Sequence, residues 1–451
     1  MEATETYIRT TIETVTGFLT DLENDRQKAE KYLYDGNAFV RKSPLSLTAM
    51  CKIGLLSVKS QYAAEVPIAL GNIVNGFGGA PVPVSKSAYC QRRQKIRPAL
   101  FRDWARDIAR NGVIEPRRWH GYIPAAFDGT TVQAPKMYDC PEEFGLWKND
   151  AGDTVPLLKI TLLCMLLDNI IMDIDVGGCG RNERPAAMSM TGSLTREHLL
   201  ILDRGFPSYA LFKVLLSRDI KFIIRVSPSF NSSVREFANS GERNGEVTFT
   251  FNKSTAKALI NSNVDIPDRD PVKLRCIRFT TPAGTTEFLV TNLDAKDFPD
   301  RLVADGYMLR WRVEVDILFL KNEQMWEVMS GYKAVCVLQD IYSACVLFNI
   351  QTLYMNVCQR KLGQENDRRH AMHQSPLAIS HSVALSLLMH FLTGTLAPDK
   401  ANIRLAAIMV GVMVRTASAE SHSQSRPRRM RLKRIVGKHW TETNYKDSLR
   451  F

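Results

Sequence analysis

Two long apolar segments stand next to each other in the first half of the chain. They read VPLLKITLLCMLLDN at 155–169 and IIMDIDVGG at 170–178. Apolar runs of this length are typical of strands buried on both faces, so the pair predicts a hairpin inside a sheet. The next segment predicts a strand at 199–203, a helix that begins near Pro207, and a strand at 221–227. This alternation of strands and helix predicts an α/β fold.

The regions on either side of this segment have other patterns. Apolar residues recur at helical spacing in YIRTTIETVTGFLTDL near the start and again over 334–415, whereas EVTFTFN and VKLRCIRFTT alternate apolar and polar residues. A length of 451 residues is too great for one compact core. We predict a helical N-terminal region at 1–115, an α/β core at 116–350 that is interrupted by a β-rich insertion at 228–303, and a helical C-terminal region with a basic tail at 351–451.

Positive charge is concentrated near the C-terminal end. The formal net charge is +12, and residues 426–438 read RPRRMRLKRIVGK, with seven basic residues and no acidic one. Clustered arginines bind nucleic-acid backbones by releasing counterions, so this tail predicts a nucleic-acid contact, with a solvated tail as the alternative. Composition does not separate DNA from RNA or from an anionic membrane surface. A second cluster, which either faces DNA or is a solvated helix face, comprises Arg92, Arg93, Lys95 and Arg97.

The sequence has no clear signal for secretion or membrane insertion. The longest apolar run, at 405–414, has ten residues, whereas a spanning helix needs roughly 20. MEATETYIRTTIETV lacks the basic and apolar parts of a signal peptide. The nine cysteines contain no C-x-x-C pair, which is consistent with a reducing compartment. We expect an intracellular protein that does not enter a membrane and, since no P-loop is present, does not bind ATP.

Residues 307–321 predict a helix in which the polar side chains form one stripe. At about 100° per residue the stripe covers about 60° of arc, and apolar side chains occupy most of the remaining surface. Such a helix is usually buried, and buried charges are rare unless they are paired or functional. An ion pair between Arg310 and Glu314 would explain only two of the polar residues. We therefore interpret the stripe as a functional site; it comprises Tyr307, Arg310, Glu314 and Lys321.

Two aspartates follow apolar strand patterns. Asp128 precedes a glycine, and Asp203 precedes Arg204 and a glycine. Asp-Gly is also a common turn, so each aspartate alone is a weak signal. Strand ends are nevertheless where α/β proteins hold ligands, and together with Glu314 the aspartates supply three carboxylates.

Three carboxylates suit Mg²⁺ or Mn²⁺. Two such ions stabilise the attacking and leaving oxygens of a displacement at phosphorus. Arg310 and Lys321 would then neutralise DNA phosphates beside the metal ions. The residues predict metal-dependent phosphodiester chemistry on a polymer.

The polar stripe resembles a known signature. Its spacing Y-x-x-R-x-x-x-E-x-x-x-x-x-x-K is similar to the Y-R-E-K signature of the insertion-sequence-four family of DDE transposases. FDGTTV at 127–132 resembles that family's first-aspartate motif, and LDRGFPSYALF at 202–212 resembles its second. FIIRVS at 222–227 is similar to the strand that follows. The resemblance covers roughly 120–340 and implies a ribonuclease-H-like core with a β-rich insertion.

The resemblance implies a cut-and-paste transposase. Asp128, Asp203 and Glu314 would be the catalytic residues and would bind two Mg²⁺ ions, for which Mn²⁺ can substitute. Water would cut one strand at the transposon end, and the freed 3′-OH would attack the opposite strand to close a hairpin. A second water would reopen the hairpin, and the 3′-OH would join target DNA.

The resemblance also implies roles for basic residues and for partners. Tyr307, Arg310 and Lys321 would hold the terminal 5′ phosphate and the hairpin. Arg204 and Arg225 are candidates for DNA contact or, equally, for structural ion pairs. The N-terminal region would bind transposon ends. The expected partners are the terminal inverted repeats and target DNA, bound by a homodimer in the end-paired complex. The expected location is the bacterial cytoplasm, in association with the nucleoid.

Three other functions are compatible with the sequence. The first is a ribonuclease-H-like DNA nuclease or resolvase without strand transfer. The second is a transposon-derived protein that binds DNA without cutting it, although the complete triad argues against this. The third is a basic α/β protein in which the pair formed by Arg310 and Glu314 is structural, and it predicts no dependence on metal ions.

Overall fold

The computed structural model describes two compact units. The helical unit combines residues 1–113, 132–158 and 319–451, and the strand unit combines 114–131 and 159–318. The basic tail at 426–438 lies outside the described residues, and the division into three functional regions stays a prediction. The described residues are 2–56, 62–148, 152–252, 255–256, 259, 266, 268–281, 284–396 and 400–419.

The helices are numbered along the chain. They are α1 (Glu2–Asn24), α2 (Arg26–Glu30), α3 (Leu47–Leu55), α4 (Tyr62–Asn75), α5 (Lys86–Arg93), α6 (Ala99–Gly112), α7 (Cys140–Phe144), α8 (Glu183–Met190), α9 (Tyr209–Ser217), α10 (Ser232–Ser240), α11 (Asp300–Met308), α12 (Trp311–Asn322), α13 (Ala334–Lys361), α14 (Gly363–Ala371), α15 (His381–Thr395) and α16 (Lys400–Arg415).

The strands are numbered in the same way. They are β1 (Ile123–Gln133), β2 (Leu146–Lys148), β3 (Thr154–Met165), β4 (Ile170–Gly178), β5 (His198–Leu202), β6 (Lys221–Val226), β7 (Asn244–Phe249), β8 (Val272–Thr280), β9 (Thr286–Thr291), β10 (Leu377–Ala378) and β11 (Ser418–Ala419).

The helical unit is built around α13. This helix packs against α1, α3, α6 and α16. By length and composition α13 is apolar enough to cross a membrane, but 83% of its most apolar stretch is buried inside the fold, as in the core helix of a soluble protein. In α1 the residues at helical spacing, Ile8, Ile12, Val15 and Leu19, are buried. The predicted helices at both ends of the chain are therefore confirmed within the described residues.

A buried ion pair joins α5 to α13 within the helical unit. Arg93 is only 7% exposed, and its Nη2 lies 2.7 Å from Oδ1 of Asp340. The same guanidinium donates from Nε to Gln339 at 2.8 Å and from Nη1 to Ser330 at 2.6 Å. Arg93 therefore does not belong to a surface basic cluster, because its charge is used inside the unit.

The strand unit contains one mixed sheet. The strand order is β2-β3-β1-β5-β6-β9-β8-β7, and β4 also pairs with β3. β1 pairs in parallel with β5, and β5 pairs in parallel with β6. With the short strand β2 left out, β4, β3, β1, β5 and β6 run third, second, first, fourth, fifth in chain order, which is the order of a ribonuclease-H-like sheet. The predicted α/β fold with this core and with helical flanks is confirmed.

The β-rich segment at 228–303 extends the same sheet. β9 pairs antiparallel with β6, and β8 pairs with both β9 and β7. Phe212, Phe222 and Phe249 are buried in one apolar cluster, which joins α9, β6 and β7. The predicted strands of this segment are present, and they share a core with the rest of the strand unit.

The predicted single helix at 307–321 is wrong in two respects. α11 ends at Met308 and α12 begins at Trp311. Between them Arg310 N–H donates to the carbonyl of Tyr307, three residues back, which is the bond of a tighter 3₁₀ turn. The helix is also not buried on most sides, because the exposed fractions are 51%, 65% and 50% for Trp311, Val315 and Leu318.

Candidate active site

The two aspartates occupy equivalent positions on neighbouring parallel strands. The parallel register pairs Ala126 of β1 with Ile201 of β5, and Asp128 and Asp203 each lie two residues further along. The sequence predicted that Asp128 ends its strand. This prediction is wrong, because β1 continues to Gln133. The two aspartates are neighbours because each lies two residues beyond the last pair of the parallel ladder.

Asp128 is strongly influenced by burial. Its Oδ1 accepts a hydrogen bond of 2.8 Å from the N–H of Gly129. Burial raises the pKa of Asp128 to about 6; the charges of Glu314 and Asp203 also raise it, and that of Arg310 lowers it. Asp128 therefore lies within electrostatic reach of the other two carboxylates.

Asp203 is held by side chains from two other elements. Its Oδ1 accepts a hydrogen bond of 3.4 Å from the hydroxyl of Tyr307 in α11. The same oxygen lies 3.2 Å from Nε of Arg225 in β6. Arg225 Nε is also 3.2 Å from Oε2 of Glu287 in β9. Of the two roles predicted for Arg225, the structure shows the ion pair.

Glu314 lies in the first turn of α12. Its Oε1 accepts a hydrogen bond of 2.8 Å from Nη2 of Arg310, so the ion pair that sequence analysis considered is present. The Arg310 guanidinium is buried and lies 4.8 Å from the ring centre of Trp311. The ring centre of Tyr307, whose hydroxyl donates to Asp203, lies 6.0 Å from the same guanidinium.

Gly306 explains how closely α11 packs onto the sheet. A Cβ on Gly306 would lie 2.8 Å from the ring of Trp119 and 3.1 Å from Ile223 of β6. Tyr307 follows directly, and its ring packs edge-on against Phe279 at 5.9 Å. The glycine thus lets α11 approach the sheet and directs the Tyr307 hydroxyl toward Asp203.

Residues 119–349 match the model of a known family, the transposase DDE domain. The match covers slightly more than half of the chain and includes all three carboxylates.

The chain belongs to the DDE transposases.

Two further comparisons add no functional information. The chain is similar to a solved structure described as a piggyBac transposase synaptic complex with hairpin DNA, with 10% identity and a TM-score of 0.41, over 92% of this chain and 84% of that one. No curated protein matches the chain.

DDE transposases act on DNA with divalent metal ions, and the carboxylates of this chain fit such ions chemically. They offer only oxygen ligands, as Mg²⁺ and Mn²⁺ prefer. A divalent cation would also offset the burial and repulsion that raise the pKa of Asp128. In the described ranges no group of three acidic, histidine or cysteine side chains lies close enough to hold an ion. Asp203 and Glu314 instead face Arg225 and Arg310, so the carboxylates would have to approach one another to share a metal.

Lys321 and Arg204 were also predicted to be DNA ligands of this DDE transposase. Lys321 is half-buried in the last turn of α12 and belongs to the helical unit. Arg204 directly follows Asp203 and is exposed, and no ion pair to it occurs among the residues that the structure describes. The role of each as a DNA ligand stays a prediction.

Sequence analysis missed two carboxylates beside the site. Glu287 is the counter-ion of Arg225. It was missed because a charged residue is common in a strand in which polar and apolar residues alternate. Glu183 begins α8, and a Cβ on Gly129 would lie only 2.8 Å from its Cδ and Oε1. The next residue, Arg184, donates from Nε to the carbonyl of Gly205 at 2.8 Å. The first turn of α8 thus lies beside Gly129, which follows Asp128, and contacts Gly205, two residues after Asp203. No local motif could predict these contacts.

The close approach of Gly129 to Glu183 leads to a testable prediction about strand cleavage. We expect Gly129→Ala to slow strand cleavage by roughly tenfold to a hundredfold, because the new methyl group must displace the Glu183 carboxylate beside Asp128. The melting temperature should change little, since the displaced atoms end a flexible side chain. Cleavage rates at saturating protein and thermal unfolding measure the two effects. Gly205→Ala is the matched control, because a Cβ there meets no atom within 4 Å; equal rates in the two variants would contradict the expectation.

Proposed function

We propose that the chain is a cut-and-paste DNA transposase of the insertion-sequence-four type. It cleaves transposon ends through a hairpin intermediate and joins the 3′-OH ends to target DNA. The observation that carries the proposal is the convergence, inside the family match at 119–349, of three carboxylates with Tyr307 and Arg310. If Arg310 and Glu314 formed only a structural ion pair, the hydroxyl of Tyr307 would not need to bond Asp203. The two aspartates would also not need to lie on adjacent strands.

Asp128, Asp203 and Glu314 would hold two Mg²⁺ ions, for which Mn²⁺ can substitute. When bound, such ions stabilise the attacking and leaving oxygens of an in-line displacement at phosphorus. Contacts within the protein orient two of the carboxylates: the Gly129 N–H bonds Asp128, and Tyr307 and Arg225 contact Asp203. The carboxylates would move closer together when the ions bind. One site of this kind serves cleavage, hairpin closure, hairpin opening and joining, because each is a displacement of the same geometry.

The remaining signature residues would act on phosphate. Arg310 carries its charge beside Glu314, where it would neutralise the phosphate of the strand being cut. Tyr307 donates to Asp203 and would change partner to hold the hairpin. Lys321 and Arg204 would contact the flanking backbone. Arg225 acts through Asp203 and is a positioning residue in this scheme.

The substrates are double-stranded DNA. We propose that the terminal inverted repeats and the target duplex bind a homodimer in the end-paired complex. The protein would act in the bacterial cytoplasm at the nucleoid, where both substrates are found. The helical region at 1–115 would bind transposon ends.

Strand cleavage tests the proposal directly. The DNA that flanks this gene supplies the terminal repeat, which is made as an end-labelled duplex and incubated with protein and Mg²⁺ before denaturing electrophoresis. We expect a nick at the repeat boundary, then a hairpin that disappears with time, then joined products when target DNA is added. No product should form with EDTA or with Asp203→Asn.

Other products would select another function. Nicking without a hairpin or a joined product would indicate a nuclease or resolvase. Binding without any cleavage in Mg²⁺ or Mn²⁺ would indicate a protein that only binds DNA. Cleavage by the Asp203→Asn variant would contradict the assignment of the site.

A further inference from the structure

A basic pocket lies in the helical unit, between the loop that joins α2 to α3 and the C-terminal end of α5. Its volume is about 360 Å³, and its lining includes Phe39, Arg41, Arg92 and Lys95. The other lining residues are uncharged, so three cations face the pocket and no carboxylate does. The surface around it adds the exposed side chains of Lys42 and Arg97. We call this feature the loop pocket.

The loop pocket is preformed by hydrogen bonds of the backbone. Arg26 in α2 donates to the carbonyls of Gly36 and Ala38. On the opposite side, Tyr34 N–H donates to the carbonyl of Lys95 at 3.0 Å. These bonds fix the backbone on both sides of the loop pocket. They do not involve the side chains of Arg41 and Lys95.

The floor of the loop pocket carries an ordered arginine. Arg92 donates from Nη1 to the carbonyl of Leu45 at 2.8 Å, and its guanidinium lies 5.1 Å from the ring centre of Phe39. Phe39 has φ of +63°, a left-handed conformation that is unusual for a bulky side chain. Such conformations are strained and persist where the surroundings enforce them, often at ligand sites. Here the conformation presents the ring to Arg92 and orients the guanidinium.

We propose that the loop pocket binds a backbone phosphate of DNA. Three cations without a carboxylate select an anion, and a stacked, hydrogen-bonded guanidinium offers a fixed donor pair for phosphate oxygens. The identity of the ligand as DNA rests on the proposed transposase function. Phosphate contacts position a protein on the duplex and carry no sequence information, so the loop pocket holds the transposon end without reading it. Arg93, the neighbour of Arg92, has no part in this because it is buried against Asp340.

The salt dependence of binding tests the loop pocket. The pocket variant combines Arg41→Gln with Lys95→Gln in the full chain. The control variant combines Lys28→Gln with Arg368→Gln, which removes the same charge from exposed residues that are paired with Asp21 and Glu365. Fluorescence anisotropy gives Kd for the terminal-repeat duplex and for an unrelated duplex at several salt concentrations. We expect the slope of log Kd against log salt to fall by about 1 in the pocket variant, equally on both duplexes, because one phosphate contact is lost, and to stay at the wild-type value in the control.

A second measurement locates the contact on the DNA. Single methylphosphonate substitutions neutralise one phosphate at a time. At the contacted phosphate they should weaken binding by the wild type and the control variant more than binding by the pocket variant, which keeps only Arg92 of the three cations. An unchanged slope in the pocket variant, or additive losses at every phosphate, would overturn the proposal.

The cleavage assay separates this proposal from the transposase function. Cleavage by the wild type together with an unchanged slope in the pocket variant would overturn the loop pocket alone. A lowered slope without any cleavage by the wild type would contradict the transposase function and support the loop pocket as a phosphate site. Melting temperatures of both variants equal to that of the wild type would show that the variants are folded.

Discussion

Glu314→Gln is expected to lower the rate of strand cleavage by roughly 10³-fold or more, since loss of a metal-binding carboxylate removes several kcal/mol of transition-state stabilisation. Glutamine keeps the shape of the side chain and an oxygen that can accept the hydrogen bond from Arg310, which is 2.8 Å long in the wild type. The fold and the affinity for the terminal repeat should therefore be nearly unchanged. If the pair of Arg310 and Glu314 were only structural, this isosteric change would have little effect on cleavage.

The measurement is a single-turnover rate on the labelled terminal repeat, with Kd determined on the same DNA. Glu323→Gln is the matched control, because Glu323 is exposed and directly follows α12. Cleavage by Glu314→Gln at the rate of Glu323→Gln would remove Glu314 from the site. A rate that recovers when Mn²⁺ replaces Mg²⁺ would instead support its role as a metal ligand.

Asp340→Ala should destabilise the helical unit by about 3–5 kcal/mol, because it leaves the guanidinium of Arg93 buried without a counter-ion. The side chains of both residues are about one-tenth exposed, at 9% and 11%, so water cannot replace the lost carboxylate. Ser330 also loses two hydrogen bonds from its backbone and hydroxyl to Asp340. Urea unfolding followed by tryptophan emission should detect the change, since Trp104 is fully buried in the same unit.

Glu30→Ala is the control for this stability prediction. It breaks the exposed pair of Arg26 and Glu30, whose atoms are 3.1 Å apart, and exposed pairs contribute at most about 1 kcal/mol. The double variant Arg93→Met with Asp340→Leu should recover much of the loss, because apolar replacement of a buried pair removes both desolvation costs. Equal unfolding midpoints for Asp340→Ala and Glu30→Ala would contradict the burial of this pair.

The sequence predicts those features of the fold that depend on long regular patterns. The apolar runs at 155–178 form the hairpin strands β3 and β4, and the strand, helix and strand after Arg196 appear as β5, α9 and β6. Asp128 and Asp203 were predicted to follow strands of the sheet, and the register of β1 with β5 places them at equivalent positions. The catalytic role of these two residues and of Glu314 stays a prediction. The match of 119–349 to the transposase DDE domain supports the same region.

Other features depend on contacts between distant segments. The turn between α11 and α12 is invisible to helical periodicity, because the residues around it are good helix formers and the exposed stripe of Trp311, Val315 and Leu318 is apolar. Burial of Arg93 depends on Asp340, which is far along the chain. Glu183 and Glu287 reach the site through packing and strand register, and neither belongs to a motif.

The ion pair between Arg225 and Glu287 limits how the β-rich segment can diverge. Arg225 stands opposite Leu289 in the antiparallel pairing of β6 with β9, and Glu287 lies two residues away on the same face, within reach of a long side chain. A shift of one residue would turn Glu287 to the other face of the sheet. A change of loop length in the segment would therefore leave Asp203 supported only if β9 kept its register. The β-rich segment thus takes part in positioning Asp203 through the pairing of β9 with β6.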